Sequence, residues 1–262
     1  MKQLSGRTAL VTGSTSGIGL ALARALACNG AAVVMNGLET DDQARELCRR
    51  VGAEAGADVS FVAADVSDPR QIEEMISTVL SSRGSLDILV NNAGIQHVSP
   101  IEEFPPAVWD RMVAVNLSAS FHTIRLALPS MRLRNWGRII NMASISGLRG
   151  RAMKSGYNAT KHGLIGLTKA VALETARTGV TCNAICPGWV RTPLVQRQID
   201  ALASREGLDD EAAVKALIGA RQPSGRFVTI EQIAALTLFM CSDAAEEVRG
   251  VAWTIDGATT AA

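Results

Sequence analysis

The chain of 262 residues predicts an α/β fold, a doubly wound parallel sheet of seven strands with helices on both faces. Three observations carry that expectation. Short β-branched runs alternate with longer helical stretches from end to end, the short runs are apolar throughout, and the first of them empties into a glycine-rich turn. Strands that are apolar at every position suit a parallel sheet covered by helices on both faces, and strand–helix alternation with right-handed crossovers builds such a sheet. The length fits one domain over residues 1–262 better than two small ones. Hydrophobic residues, 47% of the chain, are ample for its core.

In order, the strands are expected at 7–12, 31–36, 59–64, 86–91, 137–143, 180–186 and 250–255, and the helices near 17–28, 41–54, 69–82, 106–133, 156–177 and 229–241. Residues 190–225 break the alternation, with one or two amphipathic helices placed beyond the carboxyl end of the sixth strand. Ligands bind there in this architecture, so the insertion is expected to be a small helical lid over a substrate.

The formal net charge of +1 gives no single-sign field for capturing nucleic acid or an anionic membrane. Apolar runs such as AAVVM are too short to span a bilayer. The N-terminus MKQLSGRTALVTG turns polar before a secretory core forms, and the cysteines (Cys28, Cys48, Cys182, Cys186, Cys241) are odd in number. Reduced thiols in a cytoplasmic protein are expected, with Cys182 and Cys186 strand-borne on one buried face. No His or Cys cluster completes a metal site. The histidines suggest no metal; His97 follows Gln96, with a place at the pocket border as the lesser reading, and His162 is expected to cap or pack.

The turn TGSTSGIG places Gly13, Gly17 and Gly19 where the first strand becomes a helix. Missing Cβ atoms let backbone amides approach a pyrophosphate, and the helix beginning near Gly17 points its positive end at it. Closing the first strand of a βαβ unit, this turn predicts a Rossmann-type dinucleotide site. The second strand ends in MNGLET, with no Asp at its tip, no Arg or Lys in 14–16 or 36–40 to pair with a 2′-phosphate, and Glu39 to repel one. An unpaired phosphate is costly to desolvate, so NAD is expected over NADP.

Tyr157 is the only tyrosine, and Lys161 follows it one helical turn later on the same face. A phenol titrates near pH 10 and is a poor base at neutrality; the ammonium is expected to lower that value and to reach the nicotinamide ribose. Ser144 closes the fifth strand as a candidate donor to a substrate oxygen, and Asn116 is a polar residue in an apolar helix.

With TGSTSGIG, NNAG at 91–94, Asn116, Ser144, the Tyr157–Lys161 run and CPGWVRTP at 186–193, the chain resembles the short-chain dehydrogenase/reductase family from about residue 4 to its end. The resemblance implies Tyr157 as general acid/base, Ser144 as the residue orienting the carbonyl or hydroxyl, Lys161 as the group tuning Tyr157 and binding ribose, and Asn116 as the anchor of a water relay. It implies cofactor contacts at Gly13, Thr15, Ser16, Gly17, Ile18, Gly19 and Leu38, at Asp65, Val66, Asn92, Ala93 and Gly94, and at Pro187, Gly188, Val190 and Thr192 beside the nicotinamide. Within the family, NNAGIQHVSPIEEFP, NAICPGWVRTPLVQRQI and QPSGRFVT are similar to bacterial D-3-hydroxybutyrate dehydrogenases. That likeness implies a hydroxy-acid carboxylate held by Gln96, Lys154 and Gln198, with Trp189 closing over it. Ser146 stands where those enzymes usually carry His, the C-terminal DGATTAA lacks their aromatic residue, and Arg149 and Arg151 add charge before Tyr157. The expected activity is NAD-dependent interconversion of (R)-3-hydroxybutyrate and acetoacetate. Another hydroxy acid, a sugar acid or a 3-oxoacyl thioester is the alternative substrate, and a catalytically silent nucleotide sensor the alternative function. The 156–177 helix is apolar over much of its circumference, and the resemblance implies a homotetramer.

Overall fold

The computed structural model describes residues 2–39, 41–219 and 221–261, so Thr40 of the MNGLET turn and Ala220 of the insertion lie outside it. Strands β1 (Thr8–Val11), β2 (Ala32–Gly37), β3 (Val59–Ala63), β4 (Ile88–Asn91), β5 (Gly137–Met142), β6 (Val180–Pro187) and β7 (Ala252–Ile255) form one sheet in the order β3-β2-β1-β4-β5-β6-β7. Every pairing in it is parallel. Leu10 of β1 pairs with Val34 on one side and Leu89 on the other. The chain therefore changes direction of winding at β1, which opens a crevice beyond the strand ends.

Helices α1 (Gly17–Cys28), α2 (Asp41–Ala55), α3 (Pro69–Arg83), α4 (Pro106–Val113), α5 (Ala119–Leu133), α6 (Ser155–Thr175) and α9 (Ile230–Cys241) alternate with the strands; α7 (Pro193–Glu206) and α8 (Asp210–Ile218) lie in the insertion. Two apolar clusters explain the unbroken apolar runs. Val11, Val33, Val90 and Ile140 pack on one face with Leu22, Leu26 and Ile233. Their immediate neighbours Leu10, Val34, Leu89 and Ile139 pack on the other with Ile72, Ile124 and Val171. Period-two alternation thus feeds two cores, and each such side chain contributes about 1.5–3 kcal/mol by leaving water.

The long helix expected over 106–133 is broken. Residues Ala114–Ser118 form a π-helical turn between α4 and α5. Its extra residue turns the buried Asn116 amide toward the chain at Ile95, giving the amide partners that a regular turn inside an apolar face would lack. Strand β4 starts two residues later than expected, although Asp87 N still donates to Thr8 O and Asp87 O still accepts from Arg138 N just ahead of it. Other boundaries shift by one or two residues at frayed ends.

The insertion is helical as expected. Helices α7 and α8 enclose a small cluster of Trp189, Ile199, Ala213, Leu217 and Ile218. Gly207 ends α7 in the left-handed conformation, and the Asp209 side chain caps α8 through Ala212 N. No described helix is long and apolar enough to cross a membrane.

Candidate functional site

Two cavities meet at the carboxyl ends of the strands. The larger runs from the glycine turn across the tips of β2, β3 and β4, and is lined by Gly13, Thr15, Ser16, Ile18, Gly19, Leu38, Asp65, Val66, Asn92, Ala93, Gly94 and Thr192 among others. Gly13 and Gly17 have φ of +58° and +54°, which side-chain-bearing residues rarely adopt. A Cβ on Gly13 would meet the Ala93 Cα at 2.9 Å, and one on Gly19 would collide with the Gly13 carbonyl and the Asn92 amide. Asn92 Nδ2 donates to the carbonyls of Thr12 and Gly13 at 3.0 and 2.9 Å, locking β4 to the turn. The Ser16 side chain caps no amide of α1, so the helix start faces the cleft with its backbone donors. This cradle has the shape and donors for a dinucleotide pyrophosphate.

At its far end Glu39 Oε1 accepts from Thr15 Oγ1 at 2.5 Å, while Glu39 Oε2 is buried without a partner. A buried acceptor of that kind suits a sugar hydroxyl donor and repels a phosphate. Behind it, Asn36 ties three strand tips together. Its Oδ1 accepts from Gly13 N, and its Nδ2 donates to Val62 O and Ala64 O, each of these two at 3.1 Å.

The smaller cavity, about 180 Å³, is lined by Gln96, Ser144, Ser146, Lys154, Tyr157, Trp189 and Gln198, with Pro187, Gly188 and Val190 at its edge. Ile18 and Thr192 line both cavities, so the two open into each other. Ser144, extended at the end of β5, accepts from Ser146 N at 3.1 Å and hydrogen-bonds the Tyr157 hydroxyl. Lys161 Nζ lies 5.6 Å from the centre of the Tyr157 ring and donates to Met142 O at 2.7 Å. Asn116 Oδ1 accepts from Ile95 N at 2.8 Å; its Nδ2 donates to Ile95 O at 2.9 Å and to Thr160 Oγ1 at 3.2 Å.

The titration of Tyr157 runs opposite to expectation. Burial of its hydroxyl pushes the phenol up, the Ser144 hydrogen bond offsets part of that, and the nearby Cys186 thiol adds to the rise. Lys161 does not reverse it, because its ammonium is turned to the Met142 carbonyl and is itself desolvated, which brings it down to about 8. Spacing places the two groups on one face but does not reveal how dry that face is.

Lys154 begins α6, donates to Gln96 Oε1 at 3.0 Å, and is brought down to about 8 by burial and by Arg151 and Arg221. Trp189 is held over the cavity by the buried Gln222, whose Oε1 accepts from Trp189 N at 2.8 Å and whose amide donates to Arg226 O.

The expected site residues therefore converge, with three exceptions. Asn116 and Lys161 stand behind the cavity walls, and Gly17 shapes the turn without lining it. His97 is not at the pocket: its ring packs edge-on against Phe104 at 5.1 Å, which draws it away. His162 is exposed, and its Nδ1 donates to Asn158 O at 2.8 Å within its own helix. Sequence reading missed Asn36, Gln222 and Arg111, which lines the larger cavity 3.8 Å from Asp65. Each acts across the fold, and only the quoted QPSGRFVT run hinted at Gln222.

The short chain dehydrogenase family profile matches residues 7–203. A D-beta-hydroxybutyrate dehydrogenase of Cupriavidus necator is 54% identical over 254 residues, covering 97% of this chain and 98% of that protein. A protein of the same name from Rhizobium meliloti is 48% identical over 255 residues, 97% of this chain and 99% of the relative. Among solved structures, L-sorbose reductase from Gluconobacter frateurii, complexed with NADPH and L-sorbose, superposes with a TM-score of 0.93 at 33% identity over 98% of each chain.

Proposed function

The chain belongs to the short-chain dehydrogenase family, and on that premise we propose that this oxidoreductase interconverts (R)-3-hydroxybutyrate and acetoacetate with NAD. The observation that carries the reading is one small cavity that joins a Ser144–Tyr157 hydrogen bond to a Lys154–Gln96 pair. Acid–base chemistry and carboxylate capture stand side by side in it.

A bound nicotinamide dinucleotide supplies the hydride acceptor. The glycine turn and the start of α1 would hold its pyrophosphate, and Thr192 and Ile18, which line both cavities, would flank its reacting end. Ser144 donates to the substrate oxygen and orients the hydroxyl toward Tyr157. Tyr157, a phenol that keeps its proton in the resting site, gives it to the ketone oxygen in reduction; in oxidation it takes the hydroxyl proton after its own proton has passed to solvent. Lys161, desolvated, stabilises the phenolate once that proton is held elsewhere, and Asn116 fixes the Ile95 backbone and Thr160 behind it. Lys154, Gln96, Gln198 and Ser146 receive the carboxylate, and Trp189 shuts out water. The α7–α8 insertion closes over the cavity as a lid on a single catalytic domain.

NAD is supported by the unpaired Glu39 oxygen at the ribose end, which would meet a 2′-phosphate with like charge. A homotetramer in the cytoplasm completes the reading. Phe121, Leu133 and Leu173 leave apolar surface on α5 and α6, and Phe239 stacks edge-on with the exposed Trp253 of β7, giving two faces for subunit contact.

Purified protein mixed with (R)-3-hydroxybutyrate and either NAD or NADP tests the proposal. Absorbance of the reduced nicotinamide should rise with NAD, and only weakly with NADP. Turnover confined to NADP and acyl thioesters would overturn it.

A further inference from the structure

Three cations crowd one aromatic ring at the mouth of the smaller cavity. The guanidinium carbons of Arg151 and Arg221 lie 4.9 and 5.8 Å from the centre of Trp189, and Lys154 Nζ lies 5.9 Å from it. Arg151 and Lys154 line the cavity itself. Among the described residues, neither arginine side chain makes a hydrogen bond or an ion pair with a carboxylate, and Lys154 is paired only with the neutral Gln96 amide. A fourth cation, Arg149, is satisfied by Thr259 O at 2.7 Å. The Asp256 carboxylate of the same region already accepts from Thr260 N and Thr260 Oγ1.

A 3-hydroxy monoacid brings one negative charge, and the Lys154–Gln96 pair with Ser146 and Gln198 is sufficient to take it. The half-buried Arg151, which lines the cavity, and the exposed Arg221, which lies against the same Trp189 ring, then remain without a carboxylate partner, in a chain whose formal net charge is only +1. Like charges gathered around a desolvated ring repel one another. Both Arg151 and Lys154 are held below their ordinary values by burial and by neighbouring arginines. A second anionic group would relieve that repulsion and give the guanidinium forks a bidentate partner.

We propose that the cavity also takes a short 3-hydroxy dicarboxylic acid, one carboxylate held by Lys154 and Gln96 and the other by Arg151 on the cavity wall, with Arg221 against Trp189 at its mouth. This rests on the oxidoreductase reading above and extends its substrate class to diacids. The chemistry balances as for the monoacid: hydride leaves C3 for the oxidised nicotinamide, the hydroxyl proton goes to Tyr157, and a 3-oxo diacid is released. The small volume of the cavity limits the spacer between the carboxylates to a few carbons.

3-Hydroxyglutarate differs from 3-hydroxybutyrate by one carboxylate in place of a methyl hydrogen, which makes the two a matched pair. With NAD, the wild-type enzyme is expected to oxidise the diacid with a kcat/KM at least equal to that for the monoacid. Arg151→Gln and Arg221→Gln should each lower the diacid-to-monoacid ratio of kcat/KM by about tenfold, as the loss of one charge-assisted contact implies, and Arg151→Lys should restore part of it. Because a ratio is read, partial loss of folded protein cancels. Calorimetry with the non-reacting pair glutarate and butyrate on the NADH complex gives a second readout, with glutarate binding more tightly and the difference shrinking in Arg151→Gln. Oxidation of 3-hydroxybutyrate without the diacid, or a ratio unchanged in both glutamine variants, overturns the inference and leaves the proposed function standing. Failure to oxidise either acid overturns both.

Discussion

The two cavities are built by opposite means. The dinucleotide cradle is made of backbone: positive φ at Gly13 and Gly17, a missing Cβ at Gly19, and carbonyls pinned by Asn92. The substrate cavity is made mostly of side chains from three distant stretches, at Gln96, Ser144–Tyr157 and Trp189–Gln198, with Gln222 holding Trp189 in place. A surface made by removing atoms tolerates no addition, whereas one made of charges and amides can be retuned without moving the chain. This difference explains why glycine positions announce the first cavity to a reader of the sequence, while the second needs the fold before its members can be recognised.

The largest effect expected lies where the two cavities meet. Tyr157→Phe removes the cavity's only phenol and keeps the ring, so kcat should fall by about two to four orders of magnitude, the usual worth of a positioned acid/base. NADH affinity, read by fluorescence titration, should stay close to that of the wild type, because the cradle is untouched. Loss of both together would show that the cavities are not separable.

Gly19→Ala tests the cradle from the other side. Its Cβ has no room between the Gly13 carbonyl and the Asn92 amide, and both are anchored. Overpacking of this kind costs about 1–3 kcal/mol, which corresponds to NADH binding weaker by roughly ten- to a hundredfold. The kcat at saturating NAD should change far less than the affinity. If NADH bound normally, the turn would not be the rigid cradle described.

What was legible in the sequence follows the same division. Alternating apolar runs gave the sheet because each strand feeds two cores through neighbouring residues, a pattern that leaves every position apolar. The glycine turn, Ser144 and the Tyr157–Lys161 pair were readable because each is local: a strand end, a cap, one turn of helix. The π turn at Asn116 was hidden because one extra residue within an apolar helix leaves no mark on the periodicity. The direction of the Tyr157 shift was missed because dryness depends on what packs over the hydroxyl, not on its neighbour four residues along. Arg151 was visible as charge, but its meeting with Arg221 over Trp189 joins positions seventy residues apart.

Between backbone and side chain stands Asn36, a side chain that substitutes for backbone pairing at the cradle's far wall. Asn36→Ala leaves the Gly13 amide and the Val62 and Ala64 carbonyls without this partner. Buried groups deprived of a hydrogen bond cost about 1–3 kcal/mol, so the midpoint of thermal or urea unfolding should drop by a corresponding amount. NADH affinity should weaken with it, while the KM for the hydroxy acid holds. A variant with unchanged stability would mean that the strand tips hold together without the amide.

The smallest effect isolates the carboxylate end of the substrate cavity and reads it through pH. Lys154 is brought down to about 8 from 10.5 by burial and two arginines, so in the free enzyme its charge is lost as pH climbs through 8. A neutral amine cannot pair with a carboxylate, so the KM for the hydroxy acid should begin to rise near pH 8. Lys154→Arg should move that rise beyond the accessible range, and Lys154→Gln should raise KM by about tenfold at pH 7 and flatten its pH dependence. Lys161, also near 8, acts on Tyr157 rather than on the carboxylate, so its titration should appear in kcat and separate from KM. The sign for stability is the reverse of that for binding. Below pH 8 the folded chain carries the full cost of a buried ammonium at Lys154; between 8 and 10.5 the unfolded chain binds the extra proton, so unfolding free energy rises with pH across that window. Lys161, brought down to the same value, adds a rise of the same sign, so Lys154→Gln should remove the KM trend and only part of the stability trend.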